Sequence, residues 1–238
     1  MNSDVILMGD ERVRSVTVTE CGEPLVDLRT VPGLRLDDRR AHANGAYGRL
    51  RAGAAQRLAK AQAALPQGLG LLIVEGYRPP ALQQRYFEDY LAKLRALHPE
   101  WTKEQLHRAA SRFVAPPQIA PHTCGAAVDL TLWSDQDGEL DLGTAVNATP
   151  EESRNGCYTD AANISAVARR NRQMLVAALA GAGLVNYPTE WWHWSYGDRY
   201  WALLAGQPAA IYGPVEAENA AGIATKRLSP APGGRAES

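Results

Sequence analysis

Apolar and polar residues between positions 52 and 97 follow two different periods, which predict two helices around one strand. Residues 52–65 (AGAAQRLAKAQAAL) are rich in alanine and contain no β-branched residue, so they predict a helix. The run 71–77 (LLIVEGY) begins with four consecutive apolar residues, which indicates a buried strand. Pro79 and Pro80 end that strand and are typical of the first turn of a helix, which the pattern predicts over 81–97.

A capping signal and a turn signal follow. Thr102 has the character of an N-cap, and Gln105 would complete a capping box, so we expect a second helix within 98–114. The apolar run 126–133 (AAVDLTLW) predicts another strand. The sequence Asp137-Gly138 after it is typical of a hairpin turn.

The last third of the chain completes the predicted fold class. Residues 161–182 predict a long helix, and residues 190–196 (EWWHWSY) predict a strand or a bulged strand. Helices and strands do not alternate strictly, which favours an α+β fold with a central, mainly antiparallel sheet flanked by helices. We interpret 1–212 as one domain. Residues 213–238 show little apolar periodicity and end in Pro, Gly and Ser, which is typical of a disordered tail.

Composition narrows the classes of function. With 238 residues, 45% of them hydrophobic, the chain can bury the core of one ordinary enzyme domain. The formal net charge is −1, so no basic excess indicates a nucleic-acid partner. No apolar run approaches the roughly 20 residues of a membrane helix, and no signal peptide is visible. Three cysteines indicate free thiols, so we expect a cytoplasmic protein.

Two histidines and one aspartate are the candidate metal ligands. Asp129 lies in an otherwise apolar run, where a buried charge needs a partner, and His122 precedes it by seven positions. Gly125 would let the loop fold back so that both side chains converge. A structural His–Asp hydrogen bond is the alternative. His193 would be a third ligand, and two imidazoles with one carboxylate suit catalytic zinc that keeps a fourth position for water.

Glu190 is the candidate general base. It would be a carboxylate beside the metal that takes a proton from zinc-bound water and passes it to the leaving amine. On a regular strand, Glu190 and His193 would face opposite sides. We therefore expect a helical turn or a bulge in EWWH, held by the packing of the tryptophans. The alternative is an aromatic core segment whose Glu and His reach solvent.

Arg78 is the candidate for stabilising a developing oxyanion. It follows a buried strand in EGYRPP, where the prolines and Tyr77 restrict it. Tyr77 is a candidate substrate contact. Glu75 is a possible ion-pair partner of Arg78, and an ordinary salt-bridging arginine is the alternative.

Three blocks together, EGYRPP, PHTCGAAVDLTLW and EWWHW, resemble the signature of the zinc D-alanyl-D-alanine dipeptidases. That family includes the vancomycin-resistance dipeptidase, and the wider group holds bacterial D,D-carboxypeptidases and the zinc domain of hedgehog proteins. The pattern is H-x-x-G-x-A-x-D followed far downstream by E-x-W-H. In this chain it falls on His122, Gly125, Ala127, Asp129, Glu190, Trp192 and His193.

The resemblance implies a hedgehog and D,D-peptidase-like fold and one Zn²⁺ per chain, bound by His122, Asp129 and His193. It implies that Glu190 is the general base and acid and that Arg78 stabilises the tetrahedral transition state. The implied reaction is hydrolysis of D-Ala-D-Ala, a small dipeptide that is a cytoplasmic precursor of the cell wall.

The departures from the family concern the substrate. Where the dipeptidases place an aspartate for the ammonium group, this chain has Asn147, which keeps an acceptor and loses the charge. Glu151 or Glu152 could compensate. Ala120 and Pro121 replace serines that hold substrate in the resistance enzyme. The alternatives are therefore a D,D-carboxypeptidase or dipeptidase with another peptide substrate, and a zinc-binding module without catalysis.

Overall fold

The computed structural model describes residues 5–41, 45–111 and 113–215. Within these ranges the helices are α1 (Glu11–Arg14), α2 (Ala52–Ala64), α3 (Pro80–Leu97), α4 (Lys103–Ala110), α5 (Pro150–Ser153), α6 (Ala166–Gly181) and α7 (Arg199–Leu204). The strands are β1 (Leu25–Asp27), β2 (Arg35–Leu36), β3 (Arg49–Arg51), β4 (Leu69–Glu75), β5 (Ala127–Ser134), β6 (Gly138–Glu139), β7 (Val185–Tyr187) and β8 (Glu190–Ser195). Short 3-10 turns cover Leu28–Thr30, Asp38–Arg40, Ala46–Gly48 and Pro121–Cys124.

One sheet forms the centre of the domain, with the strand order β2-β4-β5-β8-β7 and with β6 paired to β5. Only the pairing of β2 with β4 is parallel within this sheet, and β1 and β3 form a separate antiparallel pair. The predicted α+β fold with a mainly antiparallel sheet is therefore confirmed.

The main core lies between this sheet and the helices α2 and α6. Leu58 of α2 and Leu179 of α6 are fully buried there, together with Ile73 of β4 and Leu130 of β5. Each such side chain contributes about 1.5–3 kcal/mol by its burial. Helices α3 and α4 pack on each other around a separate small cluster that contains Phe87, Leu94, Leu106 and Ala110.

Local sequence signals predicted most helix boundaries correctly. The predicted helices over 52–65 and 81–97 are confirmed to within one residue at each end. Both hydrogen bonds of the predicted Thr102–Gln105 capping box are present. The prediction of a helix from residue 161 is wrong at its start, because the Ser165 side chain accepts from the backbone N–H of Ala168 and caps α6 at residue 166.

The C-terminal residues 213–215 contact the domain. The backbone N–H of Val215 donates to the carbonyl of Thr123 at 2.9 Å, and the Arg51 side chain donates to the carbonyl of Gly213 at 3.1 Å. The rest of the predicted tail, 216–238, lies outside the described residues. None of the helices in the described part of the chain combines the length and apolar character of a membrane span.

Candidate metal centre and cavity

The structure brings the three predicted metal ligands together. His122 lies in the 3-10 turn after the proline-rich loop, and Asp129 of β5 pairs directly with His193 of β8. The Asp129 Oδ1 atom lies 3.0 Å from His193 Nδ1 and 3.3 Å from His122 Nε2. The two ring nitrogens are 3.2 Å apart, and all three side chains are buried.

These three atoms fit a tetrahedral zinc ion. Bonds of about 2.0–2.1 Å in a tetrahedron place neighbouring ligand atoms roughly 3.3 Å apart, and the observed separations are close to that value. The carbonyl of Gly76 accepts from His122 Nδ1 at 2.7 Å, so the proton sits on Nδ1 and the Nε2 lone pair faces the other two ligands. A cation satisfies three converging lone pairs, whereas a single proton cannot.

Gly125 lets the turn that carries His122 close onto β5. Its φ of +63° is in the left-handed region, which favours glycine. A Cβ there would lie 2.3 Å from Leu25 Cδ2, so a side chain has no room. The role expected of Gly125 from the sequence therefore has a structural basis.

A wide irregularity in β8 brings Glu190 to the side of His193. Asn186 of β7 pairs with Trp194, but the next residue of β7 pairs with Glu190, so three residues of β8 have no partner on β7. The Asn186 side-chain amide donates to the carbonyls of both Glu190 and His193, at 3.1 and 3.0 Å. The Glu190 Oε2 atom lies 3.9 Å from His193 Nδ1. The predicted bulge is confirmed.

The tryptophans anchor this bulge from the opposite side. The indole N–H of Trp191 donates to Thr144 Oγ1 at 2.8 Å, and its backbone N–H donates to the carbonyl of Cys157 at 3.0 Å. The indole N–H of Trp194 donates to the carbonyl of Trp191 at 3.0 Å. These contacts tie β8 to the loop that precedes α6.

Burial and neighbouring charges shift the pKa values of the site. Burial, followed by the charge of Asp129, raises the pKa of Glu190 well above its usual value, and Arg78 opposes that shift. Burial alone would raise the pKa of Asp129, but the charges and hydrogen bonds of His122 and His193 hold it well below its usual range. Burial lowers the pKa of His193. The neutral imidazole and the ionised Asp129 carboxylate are the forms that bind a metal.

Arg78 is buried and held by its neighbours. Its Nε and Nη2 atoms donate to the two carboxylate oxygens of Glu75 at 2.8 and 2.6 Å, and Nη1 donates to Gln83 Oε1 at 2.8 Å. Glu75 pairs across the sheet with Asp129, so Arg78 Nη2 comes within 3.9 Å of Asp129 Oδ2. The Glu75–Arg78 pairing considered from the sequence is confirmed, and it fixes a guanidinium beside the metal ligands.

A cavity of about 520 Å³ opens from the metal ligands along α3. Its wall contains all three metal ligands, together with Glu190, Arg78, Asn147, Glu151, Glu152, Ala120 and Pro121 from the sequence-based candidates. The remaining candidate, Tyr77, is not on that wall, since its ring is buried with Leu25, Ala46 and Val215. The packing of the Tyr77 ring in this cluster, apart from the cavity wall, does not support a contact with substrate.

Glu151 and Glu152 have different partners on the cavity wall. The Glu152 carboxylate accepts from the backbone N–H of Thr149 at 3.1 Å in a capping box. Burial, followed by the charges of Glu151 and Glu152 and by a hydrogen bond with Glu151, raises the pKa of Tyr90, whose ring lies on the same wall. Glu151 therefore contacts Tyr90 of α3, whereas Glu152 caps α5.

Sequence reasoning missed two residues of the cavity wall and one residue that holds the neighbouring loop. Tyr86 and Tyr90 of α3 were interpreted only as an amphipathic stripe, although a tyrosine in such a stripe signals a polar contact. Arg172 of α6 is buried, and its guanidinium donates to the carbonyls of Leu142, Gly156, Tyr158 and Thr159. Its sequence context, among other arginines in RRNR, carried no signal of burial.

Two curated relatives of this chain carry the same name. The chain is 28% identical to the D-alanyl-D-alanine dipeptidase of Synechocystis over 85% of this chain and 96% of that protein. It is 31% identical to the D-alanyl-D-alanine dipeptidase of Enterococcus faecium over 61% of this chain and 71% of that protein.

Among solved structures, a vancomycin-resistance D,D-pentapeptidase in complex with Zn(II) matches 70% of this chain and 83% of its own. That match has 19% identity and a TM-score of 0.42. The LdcB LD-carboxypeptidase matches 79% of this chain and 76% of its own, with 18% identity and a TM-score of 0.45. The peptidase M15 family, described as D-ala-D-ala dipeptidase, matches residues 24–207. Because that match covers most of the chain, this protein belongs to the peptidase M15 family and is a metallopeptidase.

Proposed function

We propose that this chain is a zinc-dependent dipeptidase that hydrolyses the peptide bond of D-Ala-D-Ala, with one zinc ion per chain. The observation that carries the proposal is the triangle of His122, Asp129 and His193 donor atoms with the Glu190 carboxylate 3.9 Å from one of them. The names of the curated relatives support the same reaction. The cytoplasmic location of that reaction stays a prediction from the sequence.

Zinc at these donor atoms would polarise the scissile carbonyl and lower the pKa of water, so that water can lose a proton and attack near neutral pH. Glu190 takes the proton of the attacking water and returns it to the leaving amine. Burial raises the pKa of Glu190, which makes this carboxylate a stronger base for accepting the proton.

Arg78 stabilises the negative charge that develops on the carbonyl oxygen. Its bonds to Glu75 and Gln83 use one hydrogen on each of its three nitrogens, so each of its two terminal nitrogens retains a further N–H. A guanidinium that is already fixed loses little freedom when the charge forms, which is the condition for electrostatic stabilisation of a transition state. The Asn147 side chain and the Glu151 carboxylate receive the substrate ammonium on the facing wall.

A D,D-peptidase acting on a longer peptide is a second candidate, favoured by the length of the cavity. The wall includes Gln83 near the metal ligands and Leu97 at the far end of α3. At about 1.5 Å per residue, those fourteen helical steps span roughly 21 Å. Two peptide residues extend over roughly 7 Å, so a longer stem peptide would also fit.

Hydrolysis of a substrate panel separates these candidates. Zinc-loaded protein is incubated with D-Ala-D-Ala, with L-Ala-L-Ala and with a muropeptide that ends in D-Ala-D-Ala, each with and without a chelator. The proposal expects chelator-sensitive release of D-alanine from the dipeptide alone. Release from the muropeptide but not from D-Ala-D-Ala would transfer the assignment to the second candidate.

Replacement of Glu190 tests the catalytic role against a zinc-binding module without catalysis. In Glu190→Gln we expect turnover to fall about 10²–10⁴-fold, the range typical of a lost general base. Zinc content, measured by atomic emission, should stay at one ion per chain, because Glu190 is not among the three ligands. Unchanged turnover in this variant would remove Glu190 from the mechanism.

A further inference from the structure

Arg40 is a cation on the cavity wall without a counter-charge. It ends the 3-10 turn Asp38–Arg40 and is half-buried. The adjacent Arg39 forms ion pairs with Asp37 and Glu139, away from the cavity. Across residues 5–41, 45–111 and 113–215, Arg40 has neither an ion pair nor a hydrogen bond to its guanidinium.

The ring of Tyr86 holds Arg40 next to the catalytic arginine. The Arg40 guanidinium carbon lies 5.7 Å from the ring centroid, and that of Arg78 lies 4.9 Å from the same centroid. Such cation–π contacts orient a guanidinium while leaving its N–H groups free. Arg40 therefore presents unused N–H donors to the cavity, and it contacts the same Tyr86 ring as Arg78.

The two arginines differ in what they can bind. Arg78 is neutralised by Glu75, to which it makes two hydrogen bonds, so its free N–H groups suit partial charge that develops during the reaction. Arg40 has no such partner, so a fully charged carboxylate on a substrate would form an ion pair with it. Lys93 is the other cation of the wall, but it lies seven residues, or about 10 Å, further along α3 than Tyr86.

The Arg78 guanidinium carbon lies 4.9 Å from the Tyr86 ring centroid, a distance on the scale of one amino-acid residue. A residue on the leaving side of the scissile bond advances the chain by about 3.8 Å, and a charge-assisted hydrogen bond adds about 2.8 Å. With the scissile carbonyl near Arg78, a terminal carboxylate one residue further reaches the region of the Tyr86 ring. We propose that Arg40 binds the free C-terminal carboxylate of the substrate, and thereby restricts the enzyme to cleavage that releases a single C-terminal amino acid.

This assignment rests on the proposed peptidase function, and a binding experiment keeps the two separate. The ligands are D-Ala-D-Ala and its C-terminal amide, which has the same shape without the negative charge. Dissociation constants are measured by calorimetry on zinc-loaded Glu190→Gln protein, which does not consume the ligand. The comparison is made with and without Arg40→Gln, and Arg39→Gln is the matched control.

We expect Arg40→Gln to weaken binding of D-Ala-D-Ala roughly 10- to 100-fold, the range of one lost charge-assisted contact. Binding of the amide should change less than about threefold, and Arg39→Gln should alter neither ligand. In the enzyme that retains Glu190, Arg40→Gln should raise KM more than it lowers kcat, and Arg40→Lys should restore part of the affinity.

Equal losses for the two ligands, or no loss for either, would overturn the assignment of Arg40. If the enzyme fails to hydrolyse D-Ala-D-Ala while the preference for the carboxylate still depends on Arg40, the proposed function fails and the binding role stands. If hydrolysis is normal and the preference survives in Arg40→Gln, the proposed function stands and the role of Arg40 fails. The absence of binding by either ligand contradicts both.

Discussion

Replacing Arg172 by methionine should loosen the loop that forms one wall of the cavity. This guanidinium donates to the carbonyls of Leu142, Gly156 and Tyr158 at 2.7, 2.7 and 2.6 Å. It also lies 5.4 Å from the centroid of the Trp191 ring. Methionine has a similar length and keeps much of the packing, but it donates no hydrogen bond.

The expected loss follows from two opposing effects. Three short bonds from a charged donor contribute about 1.5–3 kcal/mol each, or roughly 5–9 kcal/mol together. Burying the Arg172 cation without a carboxylate offsets part of this, and removal of the cation relieves that cost. We expect a net decrease of about 3–5 kcal/mol in the free energy of unfolding.

Urea unfolding followed by tryptophan fluorescence measures the effect, provided that the dependence on urea concentration keeps its slope. Arg169→Met is the matched control, because Arg169 lies on the same helix and donates from a more exposed position to the carbonyls of Ala161 and Ala162. It should cost less than about 1 kcal/mol. Equal unfolding midpoints for Arg172→Met and Arg169→Met would refute the reasoning. Because the same loop carries Asn147 and Glu151, KM should also rise in Arg172→Met.

Three further changes test the site. Arg78→Lys should lower kcat/KM about 10²–10³-fold with zinc retained, because lysine cannot form both hydrogen bonds to the Glu75 carboxylate. Kinetics and metal analysis of the variant check this, and kinetics equal to those of the wild type would contradict it. Gly125→Ala should lower the free energy of unfolding by about 2–4 kcal/mol, because the backbone is left-handed and the new Cβ would collide with Leu25. Thermal unfolding measures this loss, and an unchanged midpoint would contradict it. In zinc-free Glu190→Gln protein, which lacks the opposing titration of the raised Glu190 carboxyl, burial lowers the pKa of His193, so the unfolded chain takes up the proton first. Stability of this variant should therefore fall as pH drops below 6.5, and urea unfolding across pH 5.5–7.5 tests this sign.

Elements governed by local interactions could be predicted from the sequence. The alanine-rich α2 and the capping box at Thr102 depend on residues within one helical turn, and both are present. The bulge at Glu190 followed from the geometry of a strand, since two functional side chains three positions apart need an irregularity to share a side. The metal ligands came from residue types and from a resemblance, and the structure places them together.

Features that depend on distant contacts could not be predicted. The parallel pairing of β2 with β4 involves a two-residue strand that has no pattern of its own. The position of Arg40 depends on how its turn meets Tyr86 of α3, and the burial of Arg172 depends on a loop that passes over it. The Tyr77 ring packs with Leu25, Ala46 and Val215, which are distant in sequence, so its environment could not be predicted from its neighbours along the chain.

The proposed metal ligands lie far apart in sequence: His193 is 64 positions from Asp129 and 71 positions from His122. Only the assembled sheet places Asp129 opposite His193, so the unfolded polypeptide has no comparable site. An ion that binds one state alone shifts the folding equilibrium by an amount that grows with its free concentration. The supply of metal would consequently govern how long each molecule survives proteolytic turnover, and depletion of the ion would lower the amount of protein as well as its activity.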